Sequence, residues 1–115
     1  MVEAIIRDYL NENLPEGVKA YMEHPEGEKP QRMVIIERTS SEEYDLVETA
    51  MLAVQSYGPS LYEAAALNDI VKNIMRGAAM LPGISRCKIN TDYNYTDITT
   101  KEYRYQAVYD VVTHI

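Results

Sequence analysis

The sequence has no phenylalanine and no tryptophan, one cysteine, two histidines, and fewer basic than acidic residues. Each shortage removes a class of explanation. A lone Cys87 excludes an internal disulfide and fits a reducing cytoplasm. His24 and His114 have no partner at the spacing of Cys-x-x-Cys or His-Glu-x-x-His, so both are expected at the surface rather than on a metal. The longest uncharged stretch, Thr49 to Tyr62, holds Gln55, Gly58 and Pro59 and is too short to span a bilayer. No signal peptide is expected, since Glu3 follows Met1 within two residues and no long apolar run comes after it. The net charge is −7, with 12 acids and 5 bases in residues 1–48 and six of each in residues 49–115. This charge argues against duplex DNA or an anionic membrane as a primary partner, because counterion release needs clustered Lys and Arg.

What is present fits one globular domain over residues 1–115. The chain is 46% hydrophobic and 25% charged, too apolar for disorder. Its aromatic residues are ten tyrosines. Every buried tyrosine brings a hydroxyl that needs a partner or water, so this inventory favours wet edges and interfaces over a dry aromatic core.

Val2, Ile5, Ile6, Tyr9, Leu10 and Leu14 recur at steps of three and four, which predicts a one-sided helix ended by Asn13 and Pro15. Val18 to His24 and Arg32 to Thr39 read as two strands of a hairpin, joined by a loop over Glu23 to Arg32 that holds Pro25, Gly27 and Pro30. Residues 43–57 fit helical spacing as well, but Ala50 to Val54 is apolar on both faces and runs into Gly58 and Pro59, so a central strand is expected. Ser60 and Glu63 form a capping box opening a second helix, whose apolar face is Leu61, Ala64, Ala65, Leu67, Val71, Ile74, Met75 and Ala78 and which ends near Pro82.

Residues 84–95 and 101–115 alternate almost strictly. Joined by a loop over Thr96 to Thr100, they would pair so that partner numbers sum to 196, with Tyr93 opposite Tyr103 and Arg104 opposite Asp92. Tyr93, Tyr95, Tyr103, Tyr105 and Tyr109 would then share one face. The expected fold is α+β: two helices on a mostly antiparallel five-stranded sheet, in the order α-β-β-β-α-β-β. Strands of about fifteen residues reach roughly 50 Å, more than the roughly 34 Å body that a radius of gyration of about 13 Å implies. They must bulge or project, and a projecting hairpin calls for a covering neighbour. Tyr93, Tyr95, Tyr103 and Tyr105 are the candidate subunit interface.

No motif in the sequence marks a catalytic, cofactor-binding or metal-binding residue, and no enzymatic activity is expected. Cys87 lies between Arg86 and Lys88, but alternation turns those charges to the other face and leaves a structural cysteine. The acids Glu26 and Glu28, and Glu42, Glu43 and Asp45, lie in loop-like composition without an EF-hand pattern and read as solvated surface.

The whole chain resembles the small tail-terminator proteins (tail-completion, or minor capsid, proteins) of long-tailed bacteriophages and prophages. The features that carry the resemblance are the N-terminal helix leading to a Pro-flanked loop at Leu14 to Val18, the strand end AVQSYGPS (Ala53 to Ser60), the helix SLYEAAALNDIVKNIM (Ser60 to Met75) and the tyrosine-rich EYRYQAVYDVV (Glu102 to Val112). No residue maps onto a defined tail-contacting motif. The resemblance implies a structural protein of virion assembly that forms a ring, typically a hexamer, caps the tail tube, ends its polymerisation and contributes to head-tail joining. Its partners would be further copies of itself, the tail tube protein and head-connector proteins, with DNA passing non-specifically through an acidic lumen and no membrane contact. It would act in the cytoplasm of the bacterial host and in the virion. The contrasting expectation is a small-ligand-binding or enzymatic α+β domain of ferredoxin-like type.

Overall fold

A computed structural model describes residues 1–114. The elements run α1 (Val2–Asn13), β1 (Ala20–Tyr21), β2 (Met33–Tyr44), β3 (Val47–Gly58), α2 (Leu61–Met75), a short 3-10 turn (Ala78–Met80), β4 (Ile84–Asn94) and β5 (Tyr103–His114). They build the expected α+β fold, with one five-stranded sheet in the order β1-β2-β3-β5-β4. Because β5 lies between β3 and β4, α2 carries the chain over β5 in a split β-α-β unit. Ile115, which the alternation places beside Val111 and Tyr109, lies outside the described residues.

Both helices cover the same face of the sheet. Ile6 and Leu10 of α1 and Leu67, Val71 and Met75 of α2 meet Val34, Ile36, Leu52, Val54, Ala107 and Val111, all buried. Apolar burial of this kind contributes about 25 cal/mol per Å² and dominates the folding free energy. Ser60 opens α2 as its sequence predicts: its Oγ accepts from the Glu63 N–H at 3.2 Å and donates to the Glu63 carboxylate at 3.3 Å. The helix stops at Met75 rather than near Pro82.

Three local features differ from the sequence reading. First, β1 is two residues long and runs parallel to β2, not antiparallel in a hairpin. The Asn11 side chain holds its outer edge, accepting from Ala20 N–H at 2.7 Å and donating to Ala20 C=O at 3.2 Å, as a neighbouring strand would. Second, β2 extends five residues beyond Thr39, so Glu42 and Glu43 are strand rather than loop. Third, β4 pairs with β5 at partner sums that climb from 197 to 199, because single-residue bulges interrupt β4 at Ser85 and Asn90. The turn is displaced accordingly. Asp97 accepts from Thr99 and Thr100 N–H, and Asp97 pairs with Glu102, which centres the loop beyond Ile98.

The molecule measures 43 × 27 × 26 Å with a radius of gyration of 13.9 Å. Twelve-residue strands at about 3.3 Å per residue span the long axis, so both remedies for over-long strands are used, bulges and projection. The β4-β5 tip ends the molecule at one pole. At the other, β2 and β3 project as a hairpin arm, exposed from Glu37 to Leu46, turned by Asp45 and Leu46 at φ of 56° and 65°. Two positive φ values in a two-residue loop are the signature of a type I′ turn, and leucine is a costly occupant of it.

Candidate functional site

The candidate tyrosines, expected on one shared face of the β4-β5 hairpin, divide instead between the helix side of the sheet and the face away from the helices, the open face. The bulge at Asn90 decides which of them reach it. Downstream of that extra residue the parity of β4 reverses, so Asp92 turns to the helix side, where its carboxylate accepts from Asn68 at 3.3 Å and Lys72 at 3.4 Å. Tyr93 and Tyr95 turn to the open face and stand edge to face with centroids 5.8 Å apart. On β5 there is no bulge. Tyr103, Tyr105 and Tyr109 stay on the helix side with Ala107 and Val111, and Arg104, Gln106 and Val108 take the open face. The four candidate interface residues Tyr93, Tyr95, Tyr103 and Tyr105 therefore divide two and two between the faces. A one-residue bulge leaves composition and local alternation unchanged, so no sequence signal marked it.

The open face carries a chain of polar side chains that runs in one direction. Arg104 Nη1 donates to the Tyr57 hydroxyl at 2.9 Å, Tyr57 donates to Gln55 Oε1 at 3.2 Å, Gln55 Nε2 donates to Gln106 Oε1 at 2.8 Å, and Gln106 Nε2 donates to the Tyr93 hydroxyl. The sense is fixed at its origin, since a guanidinium can only donate. Each donor polarises the next, and the chain ends on a hydroxyl whose own hydrogen remains to be given away. Tyr93 is 40% exposed and Tyr95 42%, so the end of the chain faces solvent.

Arg104 anchors this arrangement. Its Nε donates to the Tyr95 carbonyl at 2.8 Å, and its guanidinium lies 4.6 Å from the Tyr95 ring centroid and 5.7 Å from that of Tyr57. Burial pushes the Tyr57 phenol above its ordinary pKa, while the Arg104 hydrogen bond acts in the opposite sense. His24, in the loop after β1, packs edge-on against Tyr57 at 5.6 Å, and its Nε2 is 3.4 Å from the Tyr57 hydroxyl. His114 is exposed at the end of β5. Arg104→Ala removes two charged-donor hydrogen bonds and the ring stacking, and lowers stability by about 2 kcal/mol in urea denaturation; a change under about 0.5 kcal/mol would show that the network is not ordered in solution.

Cys87 is half-buried on the helix side, and burial raises its thiol pKa from 9.0 to about 11. The folded chain thus holds this proton more tightly than the unfolded chain. The resulting stability is complete below pH 9 and is lost as pH rises from 9 to 11. Melting temperatures of Cys87→Ala across that window fall less steeply than those of the parent; parallel slopes would place the thiol in water.

Among the described residues no three His, Cys, Asp or Glu side chains gather in a way that could hold a metal ion. No described helix is long and apolar enough to cross a membrane. A cleft of about 440 Å³ opens on the helix side between α2 and β4, lined by Lys72, Met75, Arg76, Cys87, Ile89 and Tyr109 among others. No local sequence signal marks it, because its lining comes from three elements, α2, β4 and β5, that only the fold brings together. Compared with protein-family models and with curated proteins, the chain matches none.

Proposed function

We propose that this chain is a structural protein of a long-tailed bacteriophage or prophage that assembles as a ring, of six copies by its resemblance to tail terminators, caps the tail tube and joins it to the head. The observation that carries the reading is the exposed state of both flanks of one sheet. Along β2 from Ile36 to Tyr44, and along the outer side of β4, backbone groups face no neighbouring strand, and β4 is exposed on both faces over most of its length. Edges this long are a liability in a lone molecule and are commonly covered by another chain. The flanks differ from one another, so copies joined flank to flank form a heterologous contact, which closes into a ring when the rotation allows. The element order and the stretch AVQSYGPS support the tail-terminator reading further.

The test is solution mass by light scattering from micromolar to millimolar concentration, with electron microscopy of the largest species. A discrete ring supports the reading. A monomer or twofold dimer throughout the range overturns it in favour of a ligand-binding domain, for which the 440 Å³ cleft is the site to probe.

A further inference from the structure

The two uncovered flanks of the sheet carry opposite charge. From Glu37 to Glu48 the chain holds five acids and one base, while from Ile70 to Thr91 it holds four bases and no acid. The first stretch is the projecting arm, whose tip exposes Tyr44 by 84% and Leu46 by 73%. The second forms the C-terminal half of α2 and the start of β4, with the cleft between them, and is bounded by Asp69 and by the cleft-lining Asp92, whose charges are both engaged by Lys72. At the base of the cleft the Tyr109 hydroxyl is buried without a hydrogen-bond partner among the described residues. Arg76, on its rim, bonds Asn73 at 3.0 Å and has no salt-bridge partner among those residues.

The arm is also poorly satisfied. Glu43 stands directly opposite Glu48 in the β2-β3 ladder, a like-charge pairing that costs stability. Arg38 is the sole base near it, shared between Glu48 at 3.7 Å and Glu3 at 3.3 Å, and the second Glu3 carboxylate oxygen is buried without a partner.

Resting on the ring-forming reading above, we propose that the acidic β2-β3 arm of one copy docks across the basic α2-β4 flank of the next, with Tyr44 and Leu46 entering the cleft over Tyr109. The charges select this pairing over its alternatives. Arm against arm would set five acids and one base against the same, and flank against flank Arg76, Arg86 and Lys88 against the same three bases, so a symmetric dimer is opposed at either surface. An extended acidic hairpin fits better than a small anion. Lys72 inside the cleft is already bonded to Asp69 and Asp92, whereas Arg86 and Lys88 lie along the edge strand β4 with no salt-bridge partner among the described residues, Lys88 at the cleft lining. Arm and flank occupy opposite sides of the sheet, so each copy offers both and the contact repeats from copy to copy.

The test places one cysteine on each surface, Leu46→Cys and Ile89→Cys, in a Cys87→Ala background, and oxidises the protein. Disulfide formation requires Cα atoms within about 7 Å, which only direct docking provides. A covalent ladder that ends at one size supports both the docking and the ring. A ladder without an end supports the docking and overturns the ring. A discrete ring by light scattering that forms no 46–89 cross-link overturns the docking and leaves the ring, and a monomer without cross-links overturns both. Charge reversal guards against a misfolded cysteine variant. Glu42→Lys with Glu43→Lys, and Arg86→Glu with Lys88→Glu, should each weaken assembly by roughly tenfold or more, and mixing the two variants should restore pairing between them. Unchanged assembly in both variants overturns the proposal.

Discussion

Val71→Asp leaves the chain unfolded at 25 °C, with no cooperative transition in circular dichroism, while Ile74→Asp stays folded. Val71 has no solvent exposure and lies between α2 and the sheet. A carboxylate there is shut off from water among apolar side chains, and even its protonated form leaves a hydroxyl to satisfy. The cost exceeds about 4 kcal/mol, the range reserved for unpaired buried charge, in a domain whose total is about 5 to 15 kcal/mol. Ile74 packs against the core from its margin and is half-buried. An aspartate at that position can turn outward, and the loss is about 1 to 2 kcal/mol of apolar burial. If Ile74→Asp unfolds and Val71→Asp does not, the helix faces the sheet through a different stripe.

That pair of substitutions also marks how far the sequence could be read. Spacing by three and four placed Leu67, Val71 and Met75 on the inner face of α2 and Ile6 and Leu10 on that of α1, and burial agrees for each. Periodicity is weaker on the rotation of a helix, which is why it weights Leu61 and Ile74 equally with Val71 although Leu61 is exposed and Ile74 half-buried. The strands show the same division. Positions that must be apolar on one face are visible in β3 and β5; the arm residues Ser40 to Tyr44 are exposed on both faces, so nothing in their pattern separates strand from loop. The bulges at Thr39, Ser85 and Asn90 depend on which residue of the partner strand lies opposite, and that information is held in the pairing. The open-face hydrogen-bond chain was hidden for the same reason, since it joins side chains 51 residues apart at Gln55 and Gln106. The cleft and the opposed charges of the two flanks needed the topology before they could be seen as surfaces.

Gly58→Val lowers stability by about 3 kcal/mol, the upper part of the range for overpacking, and lowers the melting temperature accordingly. A Cβ at position 58 would lie 2.6 Å from Ala64 N and 2.9 Å from the Glu63 carbonyl carbon. Both are backbone atoms of the first turn of α2, so relief requires the helix to move off the sheet. The contrast is Gly77, where a Cβ would meet the Tyr9 hydroxyl, the far end of a side chain that can rotate at the cost of its 2.7 Å hydrogen bond to the Ile74 carbonyl. Gly77→Ala should therefore cost about 1 kcal/mol. Equal losses at the two sites would mean that the start of α2 is not held against the end of β3. The closeness at Gly58 follows from the chain having to turn from strand to helix within Pro59 and Ser60, with the Ser60 hydroxyl already engaged in capping. Each residue of Gly-Pro-Ser thus has a structural reason to be where it is.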